Sequence, residues 1–247
     1  MRPLMSLIAR SELTPTGRLR VGINFGNTVL LRKDEAGSAT GIAVDLAEEL
    51  ARRLDAPIDF ITYEAAGQLA DGARQGAWDV AFLAADPDRT NQITFTSPYL
   101  EIDSTYLVPA ESSFRTPAEL DRDGIRIAVS KRSAYDLFLS RSLKHAQLVH
   151  AAGPSASVEL FFSEQLDALA GIRPMLVDVA AQHAGTRVLE GRFSVVRQAI
   201  GTPQGRDIAA AYLNGFVEDI IASGLLAKII EMNRVSGVSI AEPRIPE

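Results

Sequence analysis

Four apolar residues in a row, Val80-Ala81-Phe82-Leu83, carry no polar alternation, and such a run reads as a strand covered on both faces, the kind found in parallel sheets. Asp86-Pro87 ends it. Asp is a favoured helix N-cap and Pro a favoured first helical residue, so Asp86–Arg89 is expected to form one tight turn. Its free backbone N–H groups would face outward and make an anion site beside Arg89. Upstream, Leu19–Ile23 predicts a strand, with Asn24-Phe25-Gly26-Asn27 as the loop leaving its carboxyl end. Ile42, Leu46, Leu50 and Leu54 recur every four residues, while Glu48–Arg52 and Glu49–Arg53 form i,i+4 pairs on the other face. That pattern predicts a core-packing amphipathic helix over Gly41–Leu54. Pro57–Ile61 is the next strand and Gln68–Gln75 a short helix returning to Trp78, which gives a β-α-β-α-β order and a doubly wound first lobe.

A second series follows. Ser104–Pro109 reads as extended, Arg126–Val129 as a strand, and Ser133 as the N-cap of a helix from Ala134 to Leu139. Leu148–His150, Leu166–Ala170 and Arg187–Leu189 are further strands, with helices at Ala156–Phe162 and Met175–Gln182. Val195–Ile200 then leads back to the first lobe, where helices Ile208–Ile221 and Leu225–Met232 are expected to pack. The reading is therefore a first lobe of residues 17–100 and 198–247 with a second lobe, residues 101–197, inserted into it. Ser239–Glu247, with Pro243 and Pro246, reads as a loose tail. Met5–Ala9 is too short for a transmembrane span, and no A-x-A-like site follows an apolar core, so no export signal is expected in the sequence as given.

Composition narrows the chemistry. With 247 residues, 47% of them hydrophobic, an ample core is available in one large or two smaller domains. A net charge of −6 argues against nucleic acid or an anionic membrane face as the main partner. There are no cysteines, hence no disulfides, thiolate metal sites or cysteine nucleophiles. His145, His150 and His183 show no metal-ligand spacing, and no nucleophile-elbow, Walker or dinucleotide glycine motif is present. No metal, cofactor or catalytic residue is assigned.

The pieces Gly76-Ala77-Trp78-Asp79, Asp86-Pro87-Asp88-Arg89 and Phe95-Thr96-Ser97-Pro98-Tyr99 resemble, in content and order, the type 2 periplasmic solute-binding proteins, specifically the amino-acid-binding family 3 of ABC importers. Leu19-Arg20-Val21-Gly22, the helix Gly41–Leu54 and Leu166-Asp167-Ala168 fall in the same family order, so the resemblance spans Gly17 to Met232. It implies a two-lobed α/β fold, two doubly wound sheets joined by a two-segment hinge, with ligand in the interlobe cleft. It also implies a monomer that captures a small carboxylate or amino-acid-like ligand by closure and serves an ABC permease from the periplasm, with the cytoplasm as the alternative compartment. A lyase like the cyclohexadienyl dehydratases, or a ligand sensor without a permease, are the alternatives. Binding is preferred over catalysis because no positioned acid–base pair is offered.

Site candidates follow from strand ends and from the resemblance. Ligands of open α/β sheets bind outside the carboxyl ends of strands, which nominates Asn24, Phe25 and Asn27, although such asparagines also hold their own loops. The resemblance places Ala84, Asp86 and Arg89 of the first lobe, and Lys131, Arg132 and Ser133 of the second, at the family's anion site. Arg132 stands where the family has glycine, and Asp86 where it has threonine. After Leu166-Asp167-Ala168 amino-acid binders carry an aspartate for the ligand's ammonium, and here Ile172-Arg173 occupies that place. Arg173 would repel an ammonium and attract a second anion, which favours a dicarboxylate, or a keto or hydroxy acid.

Overall fold

The structure, a computed structural model, describes residues 2–242. The chain divides into two compact units: Met1–Glu101, Arg197–Val235 and Ser239–Glu247 form the first, Ile102–Val196 and Ser236–Val238 the second. Each is built as a β-α series with helices on a sheet.

The first unit opens with helix α1 (Arg2–Leu13) and strand β1 (Leu19–Asn24), followed by the hairpin β2 (Arg32–Lys33) and β3 (Ala39–Thr40). Helix α2 (Ile42–Leu54), β4 (Ile58–Tyr63), α3 (Ala66–Asp71), β5 (Val80–Ala84), a 3-10 turn Pro87–Arg89 and β6 (Ile93–Phe95) complete its first segment. Strand β7 (Leu100–Pro109) carries the chain into the second unit. There a 3-10 turn (Pro117–Leu120) precedes β8 (Arg126–Ser130), α4 (Ala134–Ser142), β9 (Gln147–Ala151), α5 (Pro154–Ser163), β10 (Ala168–Ile172), α6 (Arg173–Gln182) and β11 (Thr186–Val188). Strand β12 (Ser194–Pro203) returns to the first unit, which ends with α7 (Asp207–Ala222), α8 (Leu225–Met232) and part of β13 (Val238–Ile240).

In the first unit β1 pairs in parallel with both β4 and β5, and β12 runs antiparallel to β5 with Gln198 opposite Ala84 and Ile200 opposite Phe82. Every residue of β5 is buried, as its unbroken apolar run requires. The apolar stripe of α2 is buried at Ile42, Leu46, Leu50 and Leu54. Its N-cap Gly41 has φ 127, and a Cβ there would lie 2.5 Å from the Leu30 carbonyl oxygen, so only glycine fits. Trp78 is fully buried against Leu69 and Ala70 and donates its indole N–H to the Leu69 carbonyl at 2.9 Å. In the second unit β10 is parallel to β8, β8 parallel to β9, and β7 antiparallel to β10, over a core of Leu107, Ala128, Phe161, Leu169 and Leu176.

Asp79, the aspartate of the Gly76-Ala77-Trp78-Asp79 piece, is fully buried and ties the first unit together. Arg20 of β1 meets its two oxygens in a fork at 2.8 and 2.8 Å, and Arg206, at the start of α7, reaches one of them at 2.9 Å. Thr202 of β12 donates to the Asp79 carbonyl at 3.0 Å. The carboxylate thus pins β1 and the start of α7 through charged donors, and the backbone carbonyl of the same residue holds β12.

Two terminal features depart from the sequence reading. No element was assigned before Leu19, yet α1 buries Ala9 and Leu13, and Glu12 accepts a hydrogen bond from the Ala209 N–H at 2.8 Å. Position N-cap of α7 is Arg206, which has no acceptor to offer, and the carboxylate of Glu12 takes over that task. The tail from Ser239 is not wholly loose: Ser239 and Ile240 lie in β13, and the buried Ala241 donates to the Tyr99 carbonyl at 3.1 Å. Pro243 and Pro246 lie outside the described residues.

Candidate functional site

The first unit presents its candidate groups on the turn after β5. Asp86 is extended and caps the turn: its carboxylate accepts from the Asp88 N–H at 2.9 Å, Pro87 takes the first helical position, and the Arg89 N–H bonds the Asp86 carbonyl at 3.0 Å. Capping is a task that threonine also performs, which accounts for aspartate at this position. The Thr90 N–H bonds the Pro87 carbonyl at 3.2 Å. The expectation of free N–H groups facing outward is therefore corrected, because a turn this short consumes them internally. The cation of this turn is the Arg89 guanidinium. Arg89 is 3% exposed, and one of its terminal nitrogens donates to the Ala84 carbonyl at 2.8 Å, which fixes the side chain at the end of β5. A guanidinium cannot lose its proton and presents a planar fork suited to carboxylates.

The β1 loop is more mundane. Asn27 accepts from the Val29 N–H at 3.3 Å with its side-chain oxygen, an Asx turn, while the buried Asn24 accepts the Asn27 N–H with its carbonyl at 3.3 Å. Phe25 lies under the Lys33 ammonium, 4.4 Å from the ring centroid. The loop is held by its own asparagines, and the phenyl ring is already engaged by a cation.

In the second unit the turn between β8 and α4 carries Lys131, Arg132 and Ser133. Ser133 is the N-cap, its hydroxyl accepting from the Asp136 N–H at 3.1 Å, and Asp136 reaches back to accept the Arg132 N–H at 2.6 Å. This reciprocal arrangement resembles a capping box, with the N–H of the residue before the cap as the donor to Asp136. Arg132 has φ 59, so an L-residue occupies the left-handed conformation that glycine adopts more readily. The bond to Asp136 holds it there. Asp136 is itself buried and also meets His150 Nε2 at 2.8 Å and the Ser140 hydroxyl at 3.3 Å. Burial pushes the neighbouring Tyr135 phenol up to about 12, against the opposing pull of hydrogen bonds with Ser133 and Ser130. Lys131 is exposed and donates its N–H to the Ala151 carbonyl at 2.9 Å. Asp136 and His150 escaped the sequence reading, although the Ser133-x-x-Asp136 spacing is the signal that points to the first of them. Asp136→Ala strips three donors of a buried acceptor and is expected to destabilise the second unit by about 2–4 kcal/mol, read as a lower urea midpoint, with Asp136→Asn costing less.

Arg173 opens α6 directly after Ile172, which is buried at the end of β10. Its guanidinium donates to the Leu189 carbonyl at 3.2 Å and to the Gly191 carbonyl. The side chain is thus turned onto the loop after β11. Among the described residues no group of three or more His, Asp or Glu could hold a metal, and no helix is long and apolar enough to cross a membrane.

Residues 19–233 match the bacterial extracellular solute-binding proteins, family 3. The chain belongs to this family. No curated protein matches it at a significant level. Among solved structures, the solute receptor for L-cysteine of Neisseria gonorrhoeae is similar with a TM-score of 0.81 at 21% identity, over 95% of this chain and 99% of that one. A mutant of ArgBP from T. maritima gives 0.79 at 21% identity, over 92% and 100%. The ancestral amino acid-binding protein AncCDT-1, described as a precursor of cyclohexadienyl dehydratase, gives 0.76 at 19% identity, over 91% and 98%. At such identities the likeness carries the fold. This member of family 3 has the type 2 periplasmic-binding-protein fold.

Proposed function

We propose that this family 3 protein captures a small carboxylate ligand, that Arg89 is its anion contact in the first unit, and that the ligand lacks an α-ammonium group. The observation that carries the reading is Arg89, a nearly buried permanent cation fixed to the end of β5 by the Ala84 carbonyl. The cysteine receptor and ArgBP point to ligands of amino-acid size. Against an ordinary amino acid stands the end of β10, where Ile172 offers no carboxylate to an ammonium, and a buried ammonium without one is costly. Arg173, bonded to the Leu189 and Gly191 carbonyls, shapes this end of the second unit rather than serving as a second anion contact. Ala84, Asp86, Lys131 and Arg132 act through the two turns, with Asn24, Phe25 and Asn27 as the neighbouring loop. The protein works as a monomer for an ABC permease in the periplasm.

A lyase on this fold would need a carboxylic acid free to deliver a proton, and Asp86 is committed to its cap. Binding is the reading we adopt. A thermal-shift screen with dicarboxylates, keto acids, hydroxy acids and amino acids tests it. A ligand present at about 100 times its Kd stabilises the native state by about 2.7 kcal/mol, and shifts confined to amino acids would sink the ligand class.

A further inference from the structure

Against the carboxyl-terminal end of α4 the second unit carries a cavity of about 830 Å³, and every residue that lines it belongs to that unit. Aromatic rings form its floor. Tyr106 of β7 and Phe193 have centroids 4.6 Å apart, and Phe138 of α4 stacks on Phe193 at 6.0 Å with 22° between the planes. Rings that served only as core would be covered, yet Phe138 and Phe193 stay half-buried and border the cavity. Its volume is that of a small-molecule site.

The walls are fixed without a ligand. Asp121 accepts from the N–H groups of Lys144, His145 and Ala146 at 3.0, 2.8 and 3.1 Å, which ties the turn before β8 to the segment after α4. Arg173 holds the Leu189 and Gly191 carbonyls on the other side. A Cβ built on Gly191 would lie 3.8 Å from Pro117 Cδ, so the two walls touch. Of the charged lining groups, Arg192 is committed to Asp103 at 2.8 Å. The exposed Arg115 guanidinium makes one long bond, 3.5 Å to the Ser112 carbonyl, and the exposed Glu190 carboxylate makes none among the described residues. Burial, with the Asp121 carboxylate as the second cause, pushes the Tyr106 phenol up and keeps it a neutral donor on the floor.

We infer that this cavity is a second ligand site, which takes a small aromatic zwitterion: its ring on Phe138, Phe193 and Tyr106, its carboxylate toward Arg115 and its ammonium toward Glu190. The rim of both signs decides the charge. An aromatic acid would be drawn by Arg115 and repelled by Glu190, an aromatic amine the reverse, whereas a zwitterion matches both. The site stands independently of the carboxylate reading, which uses Arg89 of the first unit. It is also distinct from the Ser133 turn, which caps the amino-terminal end of α4 while Phe138, Leu139 and Leu143 reach the cavity from the other.

The test titrates L-tryptophan calorimetrically into the wild-type chain, beside L-leucine, which lacks the ring, indole-3-propionate, which lacks the ammonium, and tryptamine, which lacks the carboxylate. Saturable binding of tryptophan, about threefold or more tighter than that of each analogue, is expected. Arg115→Gln and Glu190→Gln replace exposed side chains, so their thermal midpoints should hardly move, and each should weaken tryptophan about threefold to tenfold. Folded Arg89→Ala should bind tryptophan as wild type does. No binding of tryptophan to wild type overturns the inference and leaves carboxylate capture standing. Binding lost in Arg89→Ala and kept in both rim variants puts tryptophan in the carboxylate site, which overturns the second site and, with it, the reading of a ligand without an ammonium. Indole-3-propionate bound as tightly as tryptophan, with Glu190→Gln silent, overturns the zwitterion.

Discussion

Arg89→Ala is expected to weaken carboxylate binding by roughly thirtyfold to several thousandfold, the equivalent of about 2–5 kcal/mol for removing one partner of a buried, charge-assisted pair. The size follows from burial. At 3% exposure the guanidinium acts where water cannot screen it, and the Ala84 carbonyl holds it in place before ligand arrives. Arg89→Lys keeps the charge but loses the fork and is expected to fall between the two. Ser133→Ala removes one hydroxyl acceptor from the Asp136 N–H and should cost about 1 kcal/mol of helix capping. Each variant is first checked for folding by circular dichroism. Unchanged affinity in a folded Arg89→Ala would reduce Arg89 to a partner of its own turn.

Asp79→Ala is expected to give the largest loss of stability, about 3–5 kcal/mol, because it strands two arginines that a single fully buried carboxylate now neutralises. For a chain of this size that corresponds to a drop of roughly 6–20 °C in the melting of the first unit. Differential scanning calorimetry reads it. Asp59→Ala is the comparison: Asp59 pairs with Arg18 at 2.7 Å, but both side chains are nearly half exposed and screened, so its melting point should hardly move. Equal effects from the two substitutions would show that burial is not what gives Asp79 its weight.

Much of this architecture was legible from local pattern. The four-residue repeat of α2, the unbroken apolar run of β5 and the Asp86-Pro87 cap all announce themselves within a few positions, and the structure places them at Ile42–Leu54, Val80–Ala84 and Pro87–Arg89. Boundaries slipped where residues carry no periodicity. Helix α3 begins at Ala66, two residues before the expected Gln68, because Ala65-Ala66-Gly67 offers neither apolar bulk nor charge. Helix α1 escaped because, among its described side chains, Ala9 and Leu13 are the buried ones and Glu12 caps α7, nearly two hundred residues away in sequence. Strand β13 forms through pairing with a distant segment that no local pattern records.

Side-chain direction at the candidate site was hidden from the sequence. Arg173 was expected to face a ligand, and spacing could not reveal that the Leu189 and Gly191 carbonyls claim it. The turn after β5 was read correctly as a cap, yet whether its N–H groups stay open depends on a geometry only three residues long. Arg132 is a further case. Its left-handed backbone is unusual for arginine, and no spacing in the sequence shows that Asp136 supplies the acceptor that holds it.

The central claim is that this chain holds a carboxylate without an α-ammonium group. The most direct measurement is calorimetric titration of the folded protein with malate, succinate and pyruvate on one side and L-lysine, L-arginine and L-cysteine on the other. Saturable binding of at least one of the acids, tighter than that of any of the amino acids, is the expected result. Tight binding of a neutral or cationic amino acid, with none of the acids bound, would contradict it.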